Sequence, residues 1–128
     1  MTIERITHAE EILDQPAHDP AELRRSLAHV AQVNRFLGGN RGVIKALERA
    51  SPNGAHILDV GTGSGDLPRA IARWARRRGI AVQVVGADLH PQTLEIAREA
   101  CISYPEIRIE RANALELPYH NDTFDVAI

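Results

Sequence analysis

The chain has one cysteine, one lysine, an aromatic content of 4% and no apolar run approaching bilayer length. Each shortage excludes something. A single thiol, Cys101, rules out an intramolecular disulfide and a zinc site made of several thiolates. With no basic residue beside it in sequence, it reads as a small buried apolar side chain rather than a reactive group. A membrane-spanning helix needs ~20 apolar residues, and the acidic N-terminal stretch MTIERITHAEEILD lacks a signal-peptide core. A cytoplasmic protein with no membrane partner is therefore expected. The formal net charge of -2, with 14 arginines supplying nearly all the positive charge, offers no global basic field for nucleic acid. Six scattered histidines show no metal-ligand spacing, so no metal site is expected.

What is present suits one soluble domain. The 128 residues are 44% apolar and 25% charged, enough for a single core, with no internal repeat. Residues 1–50 read as helical and form an N-terminal extension; residues 51–128 form an α/β unit. Thr7-His8-Ala9-Glu10 has capping-box form and suggests a first short helix. Asp19-Pro20-Ala21-Glu22 opens a longer one, with Leu23, Leu27, Val30, Asn34 and Leu37 on one face and Gly38-Gly39 as its stop. Asn40 then caps a helix carrying Val43, Ile44 and Leu47, and Ser51-Pro52-Asn53-Gly54 makes a turn.

From Ala55 the pattern changes to strands alternating with helices. The strands are 56–60, 82–87, 107–110 and 124–128; the helices run over 67–78 and from Pro91 to about Ser103. Leu67, Ile71, Trp74 and Ala75 face inward on the first helix, and Leu94, Ala97 and Cys101 on the second. Right-handed crossovers then give a Rossmann-like parallel sheet of order 3-2-1-4, with a ligand crevice beside strand 1.

The loop Gly61-Thr62-Gly63-Ser64-Gly65-Asp66 lies between the first strand and its helix. Alternating glycines let the backbone turn sharply and let a ligand approach without meeting a Cβ. The spacing is G-x-G-x-G rather than the dinucleotide G-x-G-x-x-G, and Asp66 stands where the third glycine would be. A carboxylate there repels a pyrophosphate, and no lysine follows to make a phosphate-binding loop. Asp59, just before the loop, is a second acid suited to a cationic ligand. S-adenosylmethionine, with an ammonium, a sulfonium and no phosphate, fits that charge. A nicotinamide-dependent oxidoreductase is the disfavoured rival.

Over residues 55–128, LDVGTGSGDLP, VVGADLHPQTLEIAR, ANALELP and NDTFDVAI resemble, in order and spacing, the class I S-adenosylmethionine-dependent methyltransferases, in particular their type 11-like domain. The resemblance implies that Asp59 orients the methionine amino group, directly or through water. It implies that Gly61, Thr62, Gly63, Gly65 and Asp66 form the loop against the methionine moiety. Asp88 would hold the ribose hydroxyls, Leu89 would contact adenine, and Asn113 with Ala114 would read the adenine edge. Asn113 stands where the family usually has Asp, which removes a charge-assisted bond there. Asp59 as a loop-bracing carboxylate and Asp88 as a helix cap are the structural alternatives.

Residues 33–41, VNRFLGGNR, resemble a phrase that precedes the nucleotide fold in a subset of these enzymes. By that resemblance Asn34, Arg35, Asn40 and Arg41 are candidates for a lid. Trp74, Tyr104 and Asp125 read as structural. The resemblance implies a small-molecule methyl acceptor and assigns no general base. A complete fold of this class has seven strands, and this sequence stops within the fourth. That implies the cofactor-binding front of a longer enzyme, with little turnover of its own and a strand 4 edge open to a second copy. A non-catalytic module that binds S-adenosylmethionine, or serves only oligomerisation, is the alternative from another class.

Overall fold

A computed structural model describes residues 19–50 and 53–128, apart from the side chains of Arg35 and Phe36. The short helix expected after Thr7 lies outside the described residues, as do Ser51 and Pro52 of the expected turn.

The apolar run before the glycines forms β1 (Ala55–Val60), followed by α3 (Asp66–Arg78), β2 (Val82–Asp88), α4 (Pro91–Cys101), β3 (Ile107–Arg111) and the short β4 (Val126–Ala127). Two helices precede them, α1 (Pro20–Phe36) and α2 (Gly39–Ala50). The four strands are all parallel, in the order β3-β2-β1-β4. This is the topology the strand–helix alternation predicts, and it follows from right-handed crossovers that put α3 and α4 on one face of the sheet.

That face holds the larger core. Ile57 from β1 and Val84 from β2 pack with Ile71, Trp74 and Ala75 of α3 and with Cys101 of α4. Leu47 joins from α2, with Val43 and Ile44 beside it, so the three apolar residues that the sequence places on that helix are ones that pack. The opposite face carries a smaller cluster of Leu58, Val85, Ala87 and Ala112. Tyr119 and Phe124 cover it, their rings edge-to-face at 4.9 Å between centroids.

The N-terminal helices depart from the sequence reading in two respects. Asp19 caps α1 as expected, its Oδ2 accepting the Glu22 N–H at 3.0 Å. Leu23 and Leu27 are buried, but Val30 and Asn34 further along the same stripe are exposed, and Leu37 is 80% exposed in the turn after the helix. The first half of α1 has α4 and the glycine loop beneath it; the second half runs past them. Helical periodicity marks an apolar face without stating how much of it meets a partner. α2 begins at Gly39, one residue before the expected cap, so Asn40 lies in its first turn.

Candidate functional site

The glycine loop sits at the C-terminal end of β1, between β1 and α3. Gly61, Gly63 and Gly65 all adopt positive φ, at +74°, +56° and +74°. An L side chain is strained in that region, so glycine satisfies the turn at no steric cost. The loop is anchored to β2, because the N–H groups of Gly61 and Thr62 both donate to the Ala87 carbonyl, at 2.8 and 2.9 Å. The three glycines differ in what surrounds them. A Cβ on Gly61 would meet nothing within 4 Å, so this backbone faces open space. One on Gly65 would stand 2.8 Å from Cys101 Sγ, so this glycine exists to let α4 approach.

Asp59 lies under the loop and is 5% exposed. Its Oδ2 accepts the Thr62 hydroxyl at 2.7 Å. Burial pushes its carboxyl up to about 6, the Thr62 hydrogen bond opposes this, and the charges of Asp66 and Asp88 add to it. The loop-bracing geometry is thus present at Asp59. Asp88, half-buried at the end of β2, accepts the Gly63 N–H on Oδ2 at 3.0 Å and the His90 N–H on Oδ1 at 3.1 Å. The α4 N-cap is His90, so Asp88 braces the loop and the strand end instead of capping the helix ladder.

Gly86 has no role in the sequence reading, yet the site depends on it. It pairs in register with Asp59 across β1 and β2. A Cβ there would lie 2.7 Å from Thr62 Oγ1 and 2.9 Å from Ile109 Cδ1. Its bareness makes the room in which Thr62 reaches Asp59. The signal was available in the sequence, since a glycine inside an apolar strand often marks a close approach.

The remaining candidates line the same edge of the sheet. Leu89 is 52% exposed just beyond Asp88. The Ala112 N–H donates to the Asp88 carbonyl at 3.0 Å, which brings the segment after β3 alongside. Asn113 and Ala114 follow there, both exposed. Asn113 Oδ1 accepts the Leu115 N–H at 3.0 Å, so one of its two lone pairs serves a local turn. Asp66 opens α3, and its Oδ2 accepts from Asn40 Nδ2 at 3.4 Å, which ties one lid candidate to the loop. Asn34 and Arg41 are exposed away from it. Three residues read as structural are so placed. Trp74 is buried, its Nε1 donating to Glu48 at 3.3 Å, and Tyr104 lies under the Arg76 guanidinium. Asp125 accepts the His56 N–H at 2.8 Å beside the start of β4. Among the described residues no cluster of histidine, cysteine or carboxylate could hold a metal, and no helix is long and apolar enough to cross a membrane.

The loop, the two acids and an exposed apolar residue lie together at the C-terminal ends of β1 and β2. Asp88 offers about four lone-pair sites and spends two on backbone, which leaves acceptors for a pair of hydroxyls. The buried Asp59 suits a cation.

Comparisons with known proteins identify the family of the chain. Residues 57–128 match the family model described as "Methyltransferase domain". A 2-phytyl-1,4-naphtoquinone methyltransferase of Thermosynechococcus vestitus is 41% identical over 73 residues, covering 57% of this chain and 31% of that protein. A demethylmenaquinone methyltransferase of Deinococcus radiodurans is 37% identical over 92 residues, 70% of this chain and 36% of that protein. The chain thus spans about a third of the length of these curated relatives. Among solved structures, a SAM-dependent methyltransferase from Aquifex aeolicus superposes with a TM-score of 0.63 at 18% identity, over 87% of this chain and 56% of that one, which shows the shared fold. The chain belongs to the methyltransferase domain family and has its class I, Rossmann-like fold, for which S-adenosylmethionine is the cofactor.

Proposed function

We propose that this chain is the cofactor-binding front of a methyltransferase acting on a small apolar acceptor of the quinone class. The observation that carries the cofactor half is the backbone at Gly61, held at positive φ and facing open space beside a buried and a half-buried acid. The acceptor half rests on the two relatives above, both named as methyltransferases of naphthoquinone-type compounds.

In this reading Asp88 receives the two ribose hydroxyls on its remaining lone pairs. Leu89 packs on the adenine face, and Asn113 and Ala114 meet its edge. Gly61, Thr62 and Gly63 pass backbone against the methionine portion, Gly65 and Asp66 fix where the loop enters α3, and Asp59 offsets the ammonium from below. Once bound, S-adenosylmethionine supplies an electrophilic methyl group on a sulfonium, open to in-line displacement by the acceptor. Such a displacement depends on distance and angle above all, so what these residues contribute is placement. No side chain of this chain is assigned as a general base.

Calorimetric titration with S-adenosylmethionine, its demethylated product and NAD tests the reading. Both sulfur nucleosides should bind and NAD should not. Binding of NAD in place of the other two would overturn it. Asp88→Ala should weaken S-adenosylmethionine tenfold or more, since a hydrogen bond to a charged oxygen is worth about 1.5–3 kcal/mol. A folded variant with unchanged affinity would reduce Asp88 to a backbone brace.

A further inference from the structure

A cavity lies on the helical side of the molecule, bordered by Ser64 and Asp66 of the glycine loop but by none of Asp88, Leu89 and Asn113. It opens between α1, α3 and α4 and encloses about 730 Å³. That is within the range of roughly 300–1,000 Å³ typical of small-molecule sites.

Gln32, Asn40 and Ser64 add neutral polar groups to a lining dominated by two kinds of wall. On one side α1 and α4 present small or apolar residues, with Ala28, Ala31 and Ala100 leaving the space and Leu27 and Ile96 giving it greasy walls. On the other side α3 presents Arg69 and Arg73, one helical turn apart. Like charges at that spacing repel, so the pair is a local cost unless an anion lies between them. Neither forms an ion pair among the described residues. Arg69 is fixed by its Nε–H, which donates to the Gly65 carbonyl at 3.1 Å, and its terminal NH₂ groups have no hydrogen bond among the described residues. Arg73 makes one long bond, from Nη1 to the Tyr104 hydroxyl at 3.4 Å.

The charge count sets the ligand's charge. Arg24 also lines the cavity but is paired with Glu99 at 3.1 Å. Two guanidiniums then face a single lining carboxylate, Asp66. We infer that this cavity binds an amphipathic monoanion, a carboxylate on an apolar ring or chain, with its charge at Arg69 and Arg73 and its body against Ala28, Ala31 and Ile96. The geometry would accept an aromatic or a fatty acid equally, so the common chemistry is the apolar carboxylate. This site shares Asp66 with the cofactor loop, but its ligand is held by Arg69 and Arg73, which the methyl-transfer reading does not use.

Calorimetry of the cofactor-free 128-residue chain with 2-naphthoate, octanoate, 2-naphthamide and inorganic phosphate tests it. At least one of the two carboxylates should bind at one site, more tightly than about 1 mM. Whichever of them binds identifies the apolar body preferred. The neutral amide and the bare phosphate should each bind at least tenfold more weakly. Arg73→Gln, at an exposed position whose loss spares the fold, should weaken carboxylate binding about tenfold. Ala31→Trp should fill the cavity and abolish it. Thermal melts verify that both variants fold. The inference is overturned if neither carboxylate binds, if the amide or phosphate binds as tightly, or if both folded variants bind like the parent. Because no cofactor is present, a negative result here leaves the methyltransferase reading intact, and failure of that reading leaves this one intact.

Discussion

Asp59 ties stability to binding at the level of one side chain. Burial raises its carboxyl from 3.8 to about 6, so the folded chain holds a proton that the unfolded chain releases between those values. Stability contributed by this group therefore falls as pH rises through that window and stays lower above it, by about 3 kcal/mol at 1.36 kcal/mol per pKa unit. Asn at this position cannot ionise but keeps an oxygen for the Thr62 hydroxyl. Asp59→Asn should thus be more stable than the parent in urea unfolding near pH 7.5, by about 1–3 kcal/mol, with the gain shrinking to about a third near pH 4.5. A gain independent of pH would place its origin elsewhere. The same variant should bind S-adenosylmethionine less well, and the parent's affinity should tighten as pH rises through about 6, where the carboxyl becomes able to offset an ammonium. Gly86 adds a second test at this scale. Gly86→Ala should cost about 1–3 kcal/mol by overpacking, and should couple with Thr62→Ala in a double-mutant cycle, because the new Cβ meets Thr62 Oγ1. Strict additivity would show that the two sites are independent.

The loop between β1 and α3 does two jobs at the level of elements, and two of its glycines separate them. Gly61 and Gly65 share a φ of +74°, so an added side chain carries a similar backbone cost at either. Only at Gly65 does the new Cβ collide, with Cys101 of α4. Gly65→Ala should therefore lower the thermal midpoint more than Gly61→Ala, and the difference measures how closely α3 and α4 are drawn together. Gly61→Ala should fold with the smaller loss yet bind S-adenosylmethionine poorly, since its Cβ enters the open cradle. Equal midpoints would mean that α4 yields to the intrusion. Cys101 is accordingly a packing residue. It is 5% exposed, and burial pushes its thiol above the usual range.

The whole molecule is asymmetric. Among the described residues, one face of the sheet is covered by α2, α3 and α4, while the other carries the smaller Leu58–Val85 cluster under Tyr119 and Phe124. At the β4 edge, Ala127 and Ile128 are exposed beside a strand of two residues. An edge of this kind offers unpaired backbone to another chain. We propose that this edge pairs with a second copy of the same 128 residues, the mass from light scattering then rising with concentration. Ala127→Lys should reduce that association by charging the edge. A constant monomer mass at every concentration would count against this use of β4.

The sequence by itself determined what repeats or is local. Strand–helix alternation specified the parallel sheet and its order, because a crossover of one hand leaves few ways to connect such elements. Alternating glycines with acids at 59, 66 and 88 pointed to the candidate site, because backbone freedom and charge are properties of the residues themselves. Only the tertiary structure decided what depends on juxtaposition. It set Asp59 beneath Thr62 and raised its carboxyl, gave Gly86 its purpose through a residue 24 positions earlier, and turned Asp88 toward two backbone N–H groups. It also left the second half of the α1 stripe exposed and gathered Arg69, Arg73 and three alanines around one cavity. Burial, close approach and shared space belong to pairs of segments far apart in the chain. No pattern within either segment encodes them.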